Sequence, residues 1–292
     1  MRTAFRISIV RFLYAFVFFV CFCSLLPAQT PLPDSQPFLA QFRKKLHRDR
    51  TLLSQYTYTE KDTHIDLDPN GKPKKAEATV YQVLPGAEYW QSYRRLLSKD
   101  GVALSEKELE KEDRDHENEM RKHEKKSEAE LRKDREKDDR EEQELLDEVF
   151  AMYDVRFVGL EPIADRPAIL MTFNSKPNYK PKTSDGKIIQ HVAGRFWVDE
   201  EDHELVKLEA EVAEPISLGA GLLAKVQKGS RLTFERRKVN DEVWLPVASQ
   251  VDLNARVLLL KGLNIREVVE YSDHKKYRVE TNFKFGPGPN LD

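Results

Sequence analysis

The chain has 292 residues, of which 40% are hydrophobic and 34% are charged, and its formal net charge is −2. This balance excludes the strongly basic surface of a nucleic-acid-binding protein and leaves enough apolar residues for one sizeable domain or two small ones. Only two cysteines are present, Cys21 and Cys23, and both lie close to the N-terminus.

The N-terminus has the pattern of a secretory signal peptide. Three arginines within the first 11 residues precede a 15-residue apolar run from Phe12 to Leu26, and Ala28 offers a small residue for cleavage. We expect residues 1–28 to be removed and the mature chain to lie in the periplasm or outside the cell. A retained anchor is the alternative, although the run is shorter than the roughly 20 residues of a membrane span. Cleavage would remove both cysteines, and with them any disulfide, thiol nucleophile or zinc–cysteine site.

Residues 29–104 predict an N-terminal helix and the first strands of a β domain. Apolar residues from Phe38 to Leu53 recur at helical spacing and predict an amphipathic helix. From Tyr56, YTYTEKDTHIDLD alternates as a strand does, and the turn at 69–72 leads to the partner strand KAEATVYQVL. EYWQSYRRLLS predicts a third strand.

Residues 105–153 predict one long charged helix inserted into the β domain. Thirty of the 39 residues from Glu106 to Glu144 are charged, and none is Gly or Pro. Ser105 with Glu108 forms a capping-box signature, and acids four residues before arginines support the helix. Its end is apolar and should dock on the core, through Leu145, Leu146, Val149, Phe150 and Tyr153.

Residues 154–283 predict the remaining strands of the same domain, and 284–292 a disordered tail. Strand patterns follow one another with short connections and no alternating helices, which predicts about ten strands in an antiparallel sheet and an α+β class. NYKPKTSDGK is expected to be a long loop, and Asn240-Asp241 a turn.

The polar clusters of the sequence are typical of a solvated surface rather than of a catalytic or metal site. His116, Glu119 and His123 share a helix face and could hold a metal, but they stand among solvated charges without a buried second shell. Acidic residues 199–202 lack the spacing of a calcium loop. A catalytic triad would need His191, His203 or His274 to meet a serine and an acid, and no nucleophile motif is present. We therefore predict no catalytic residue, metal or cofactor, and a protein that is not an enzyme.

Some strands are apolar on both faces, above all PAILMTF (167–173) and VLLL (257–260). Such strands need cover on both sides. The cover is either helical, from residues 38–53 and 145–153, or a ligand held in a concave sheet. The sequence leaves both alternatives open.

The C-terminal half resembles a known family. GRFWVDEEDHELVKLEAEV (194–212) and KGSRLTFERRKVNDEVWLPVASQVDL (228–253) are similar to the strand meander of the periplasmic lipoprotein-carrier superfamily, which includes the lipoprotein-sorting proteins. The resemblance implies a strongly curved antiparallel half-barrel with helices across its concave face. It also implies binding of acyl chains without catalysis or cofactor.

These observations predict an exported protein that binds a hydrophobic ligand, a lipid or lipoprotein acyl chain, in the half-barrel. The alternative is an envelope interaction protein with a filled core, whose charged helix contacts an envelope partner; nucleic acid is not expected as a partner. Leu170 and Trp197 would point inward instead if the strand register were shifted by one residue. The predicted lining residues are Ile169, Met171, Phe173, Phe196, Val198, Leu258 and Leu260.

Overall fold

The computed structural model describes residues 31–46, 55–86, 92–218, 224–257 and 262–276. The predicted signal peptide, the predicted tail, Leu258 and Leu260 lie outside these residues. The chain divides into Met1–Pro33 and Asp34–Asp292, and the fold described below is that of the second unit. In the ranges given above, no helix has both the length and the apolar character needed to cross a membrane.

Thirteen strands and four helices form the described fold. The helices are α1 (Ser35–Leu46), α2 (Glu106–Glu124), α3 (Glu128–Met152) and α4 (Ser184–Ile189). The strands are β1 (Tyr56–Leu67), β2 (Pro73–Leu84), β3 (Tyr93–Lys99), β4 (Val102–Ala103), β5 (Tyr153–Ile163), β6 (Arg166–Ser175), β7 (Val192–Asp199), β8 (Leu205–Val212), β9 (Ile216–Leu218), β10 (Ala224–Val226), β11 (Arg231–Val239), β12 (Val243–Val257) and β13 (Leu263–Lys276).

The strands form one open, antiparallel sheet. Its order is β4-β3-β2-β1-β13-β12-β11-β8-β7-β6-β5, with the short pair β9 and β10 attached to β12. The predicted α+β class and antiparallel sheet are confirmed. The predicted strand count of about ten omits β4, β9 and β10, since strands of two or three residues are too short for alternation to reveal. The half-barrel curvature stays a prediction.

The charged insertion is two helices, so the prediction of one continuous helix is wrong. α2 ends at Glu124 and α3 begins at Glu128. Ser127 caps α3 by accepting a hydrogen bond from the Glu130 backbone, and the Glu130 carboxylate accepts one from the Ser127 backbone at 2.8 Å. Such a capping box starts a new helix even where no Gly or Pro interrupts the sequence. The predicted capping box at Ser105 is confirmed.

The two charged helices connect opposite edges of the sheet. β4 precedes α2 at one end of the strand order, and β5 follows α3 at the other end. α2 is attached to β3 through Arg95, which donates two hydrogen bonds to Asp113, both at 2.7 Å. The attachment at the end of α3 is apolar, as predicted, with Met152 fully buried and Val149 and Phe150 packed around it.

The segment expected to be one long loop contains α4. Thr183 caps this helix by accepting a hydrogen bond from the Gly186 backbone. Glu148 of α3 is 4% exposed and accepts hydrogen bonds from the backbone of Lys182 and from the backbone and hydroxyl of Thr183. These bonds, above all the one from the Thr183 hydroxyl, lower the pKa of Glu148. The carboxylate therefore fastens α4 and the preceding loop to α3.

α1 and the C-terminal end of α3 pack on one face of strands β5 to β8. Phe42 of α1 is 6% exposed and stacks on Phe196, with ring centroids 5.5 Å apart. Phe38 meets Phe157 edge-on at 5.7 Å. Since Ile169, Met171, Phe173, Phe196 and Val198 belong to this cluster, the sheet face that carries these five residues is named the covered face.

Candidate functional site

Five of the seven predicted lining residues lie together on the covered face. Direct strand pairing sets Ile169 beside Val198 and Met171 beside Phe196, and with Phe173 all five are at most 9% exposed. α1 and α3 pack against them, so helices cover this part of the sheet, one of the two alternatives left open by the sequence. These side chains are therefore closed to a ligand while both helices stay in place.

Leu170 and Trp197 lie on the opposite face. They pack with Ala168, Val206 and Trp244 in a second, smaller buried cluster. The structure therefore has the first of the two registers considered, with Ile169, Met171 and Phe173 toward the helices. The apolar character of both faces of β6 is explained by these two clusters.

The covered face continues along the strand pairing into the centre of the sheet. Direct strand pairing from β6 to β13 joins six residues: Met171, Phe196, Leu208, Phe234, Ser249 and Val269. Directly paired residues of antiparallel strands project to the same side, so these side chains form one row. Phe234, Val269 and the neighbouring Val251 are half-buried, and none of the three belongs to a buried cluster of the described residues.

Towards β1, β2 and β3 the covered face becomes ionic. Glu60 is 9% exposed and accepts a hydrogen bond from Arg94 Nε at 2.8 Å. The guanidinium of Arg94 lies 3.6 Å from the ring centroid of Tyr81 and also pairs with Asp62 at 3.3 Å. Burial, more than the nearby Glu60, raises the pKa of Tyr271. This cluster was not predicted, although the spacing of Glu60 and Asp62, two residues apart in YTYTEKDTHIDLD, places both on one face of a strand.

His64, also on β1, lies on the same face. It hydrogen-bonds to Glu267 of β13 through Nδ1 and lies 3.5 Å from Asp66 through Nε2. The hydrogen bond with Glu267 raises the pKa of His64, and burial opposes this effect only in part. The covered face thus passes from apolar residues on β6–β8, through half-buried apolar residues on β11–β13, to charged residues on β1–β3.

The opposite face is named the outer face, and beyond the buried cluster of Leu170 and Trp197 it carries charged residues. Lys207 is paired with Glu235, and Glu270 with Lys61, in one row across the sheet. Lys61 and Glu270 form an ion pair of 2.9 Å, and Lys207 lies 2.8 Å from Glu209. Exposed cross-strand pairs of opposite charge, such as Lys61–Glu270, are typical of a solvent-facing sheet surface. On β11–β13 the covered face is therefore the more apolar of the two faces.

The acidic turn at residues 199–202 is organised by Arg166. Its guanidinium donates to Asp199 from Nε at 2.6 Å and from Nη2 at 2.9 Å, and Asp199 is fully buried. Asp199 also accepts hydrogen bonds from the backbone of Glu201 and Asp202. Lys238 pairs with Asp202 at 2.8 Å. The acids therefore serve to hold the β7–β8 turn.

The histidine–glutamate–histidine motif of the insertion is divided among different contacts. His116 stacks on Tyr93 of β3, with ring centroids 4.0 Å apart and planes 7° apart. Glu119 pairs with Lys122 on α2 itself. Burial, together with the Tyr93–Asp113 hydrogen bond, raises the pKa of Tyr93 to about 12. The observed role of His116 is to help attach α2 to the edge of the sheet.

The three histidines weighed for a triad also have separate surroundings. His203 packs on Phe38 with ring centroids 4.8 Å apart, and His191 pairs with Glu214 at 3.5 Å. His274 lies beside Tyr58, 5.6 Å between centroids, and burial lowers its pKa. The structure places each in a different part of the sheet rather than in one cluster.

Comparison with known protein families and with curated proteins finds no match. Solved structures with similarity include a DUF1329 family protein from Desulfovibrio piger, at 13% identity over 86% of this chain and 96% of that one, with a TM-score of 0.28. A LolA superfamily protein from Nitrosomonas europaea matches at 11% identity over 85% and 95%, with a TM-score of 0.27. The Pseudomonas aeruginosa MucA/MucB complex matches at 10% identity over 85% and 100%, with a TM-score of 0.25.

One of these neighbours is itself described as a LolA superfamily protein. All three TM-scores are below 0.3.

Proposed function

We propose that the chain is an exported, non-enzymatic binding protein that holds the acyl part of a lipid or lipoprotein against the covered face. The observation that carries the proposal is the row of half-buried apolar side chains that continues past the helix-covered strands. Phe234, Val251 and Val269 lie on this extension. Burial of each acyl methylene against such a surface contributes about 0.8 kcal/mol.

The buried end of the covered face would extend the site if α1 moved. Phe38 and Phe42 are the buried side chains of α1, a 12-residue helix with three basic residues in its last turn. Moving α1 would expose Ile169, Met171 and Phe196 next to Leu208 and Phe234. The five predicted lining residues within the described ranges would then form the deep end of the site, and the extension on β11–β13 would be its entrance.

The proposed location in the periplasm or outside the cell is supported by the N-terminal sequence pattern. The arginines and the apolar run within residues 1–28 are typical of a signal peptide. An acyl group released from a membrane needs a carrier only where it must cross water, which fits a role in the cell envelope.

A matched pair of variants tests the proposal. Val268 and Val269 are adjacent and both half-buried on β13, but Val269 shares a row with Phe234, and Val268 pairs with Thr63 and Gln250 on the outer face. Native mass spectrometry with lipid extraction should find a lipid on the wild-type mature protein. Val269→Asp should lose the lipid, and Val268→Asp should retain it, with both variants folded by circular dichroism.

Two outcomes would contradict the proposal. The first is a wild-type protein that carries no lipid and takes up none when lipid is added. The second is equal lipid loss in Val268→Asp and Val269→Asp.

The second candidate is an interaction protein that contacts an envelope partner through α2 and α3. The observation that favours it is the exposure of the middle of both helices, where ion pairs such as Arg114–Glu110 at 3.5 Å lie in solvent. Pull-downs with the full chain and with a variant that lacks residues 114–142 would test it. A partner that binds the full chain but not the variant would support this candidate.

A further inference from the structure

A second concave site lies on the outer face, away from the proposed acyl site. It is a cavity of about 330 Å³ between the turn that joins β5 to β6 and the strands β8 and β11. Its volume is at the lower end of the range of small-molecule sites. We name it the turn cavity. Neither the proposed acyl binding nor the charged helices involve it.

The apolar part of the turn cavity rests on the second buried cluster. Pro162, Ile163 and Val206 line it, and Val206 is 3% exposed. Ile163 packs against the cluster that contains Trp197 and Trp244. The apolar floor of the cavity therefore packs on a cluster with two tryptophans, whose fluorescence can report on binding there.

The charged part of the turn cavity is mainly basic. Lys207, Arg236 and Arg237 line it together with one acid, Glu235. Arg236 and Lys207 have acidic partners in Glu204 and Glu209, so the positive charge left beside the apolar floor is that of Arg237. This charge favours an anion with an apolar part over a cationic ligand.

The three basic side chains differ in what already holds them. Arg236 donates to Glu204 at 3.0 Å and to the carbonyl of Trp244 at 2.6 Å. Lys207 is paired with Glu209 at 2.8 Å and lies 3.5 Å from Glu235. Arg237 is exposed, and its side chain has no hydrogen bond or ion pair within the described ranges. The guanidinium of Arg237 is thus the cation on the rim that can bind a new partner.

We propose that the turn cavity binds a small amphipathic carboxylate. The apolar part of the ligand packs on Ile163 and Val206, and the carboxylate accepts two hydrogen bonds from Arg237. A guanidinium matches the two oxygens of a carboxylate in this way, which gives both strength and orientation.

The test uses the mature protein with octanoate, octanol and octylamine as probes, measured by calorimetry and tryptophan fluorescence. Octanoate should bind, and octylamine should bind at least tenfold more weakly. Arg237→Gln should weaken octanoate binding about tenfold, the effect of one charge-assisted hydrogen-bonded contact, and should leave octanol binding unchanged.

The matched control is Arg231→Gln on the same strand. Arg231 is also exposed, but it pairs with Glu211 at 3.0 Å and does not line the turn cavity. This variant should change octanoate affinity less than twofold. Val269→Asp, which acts on the covered face, should also leave it unchanged, so that failure of this proposal and failure of acyl binding can be told apart.

Three results would overturn the proposal. These are no binding of octanoate, equal binding of octylamine and octanoate, or equal losses in Arg237→Gln and Arg231→Gln. Loss of octanoate in Val269→Asp with retention in Arg237→Gln would place the binding on the covered face instead.

Discussion

Replacing Asp199 with alanine should destabilise the protein by about 3 kcal/mol. Asp199 is fully buried and accepts two hydrogen bonds from Arg166, at 2.6 and 2.9 Å. It also accepts hydrogen bonds from the backbone N–H groups of Glu201 and Asp202. Removing one member of a buried ion pair costs about 3–5 kcal/mol, because the other loses its compensation. The lower end of this range applies here, because the Arg166 side chain is 29% exposed and still has Asp202 as an ion-pair partner at 3.2 Å.

Urea unfolding of the wild type and two variants measures this effect. The control is Glu201→Ala in the same turn. Glu201 also contacts Arg166, at 3.3 Å, but its side chain is 81% exposed, so its loss should cost less than about 0.5 kcal/mol. If Asp199→Ala and Glu201→Ala lowered the unfolding free energy equally, burial would not be the cause and the reasoning would be refuted.

Three further predictions concern the sheet and the insertion. Gly194→Ala should cost about 3 kcal/mol of stability by overpacking, because the new Cβ would lie 2.9 Å from the Ala210 Cα and closer still to the Glu209 carbonyl oxygen. The control is Gly159→Ala, whose new Cβ has nothing within 4 Å. Similar unfolding midpoints for the two variants would contradict this prediction. The Glu267 hydrogen bond raises the pKa of His64. The stability that this bond gives the folded protein should therefore be complete below about pH 6, and it should be lost as the pH rises through the pKa of His64 in the folded state. Urea unfolding from pH 5 to 8 should therefore show a loss of stability in wild type that His64→Gln lacks, and parallel pH profiles would refute the linkage. Replacing residues 114–142 with a Gly/Ser linker of equal length should leave a cooperative thermal transition, since their exposed ion pairs contribute little; a lost transition would show that these helices are structural.

The break in the charged insertion was present in the sequence as a local signal. SEKE (105–108) and SEAE (127–130) are the same capping-box pattern, and both begin a helix. The absence of Gly and Pro predicts one continuous helix, but Ser127 caps a second helix within the same run of helix-forming residues. A side-chain cap competes with helix continuation through its own hydrogen bonds, so a helix can end without a breaking residue.

The sides of the strands were also predictable, whereas their neighbours were not. Alternation alone placed Ile169, Met171 and Phe173 on one side and Leu170 on the other. It could not assign Phe234 and Val269 to the same surface, because that depends on the order in which β8, β11, β12 and β13 pair. Likewise, Glu60 and Arg94 are 34 residues apart and meet only through the pairing of β1, β2 and β3.

The sequence by itself determined the strand periodicity, the capped helix starts and the apolar ends that dock on the core. Each of these features depends on residues that are close to one another in the sequence. Only the tertiary structure decided that α1 covers β5–β8, that the charged helices join opposite edges of the sheet, and that one face changes from apolar to ionic. These features arise from pairing between distant segments, such as β1 with β13. Such pairing is selected by the burial of the whole sheet rather than by any local pattern.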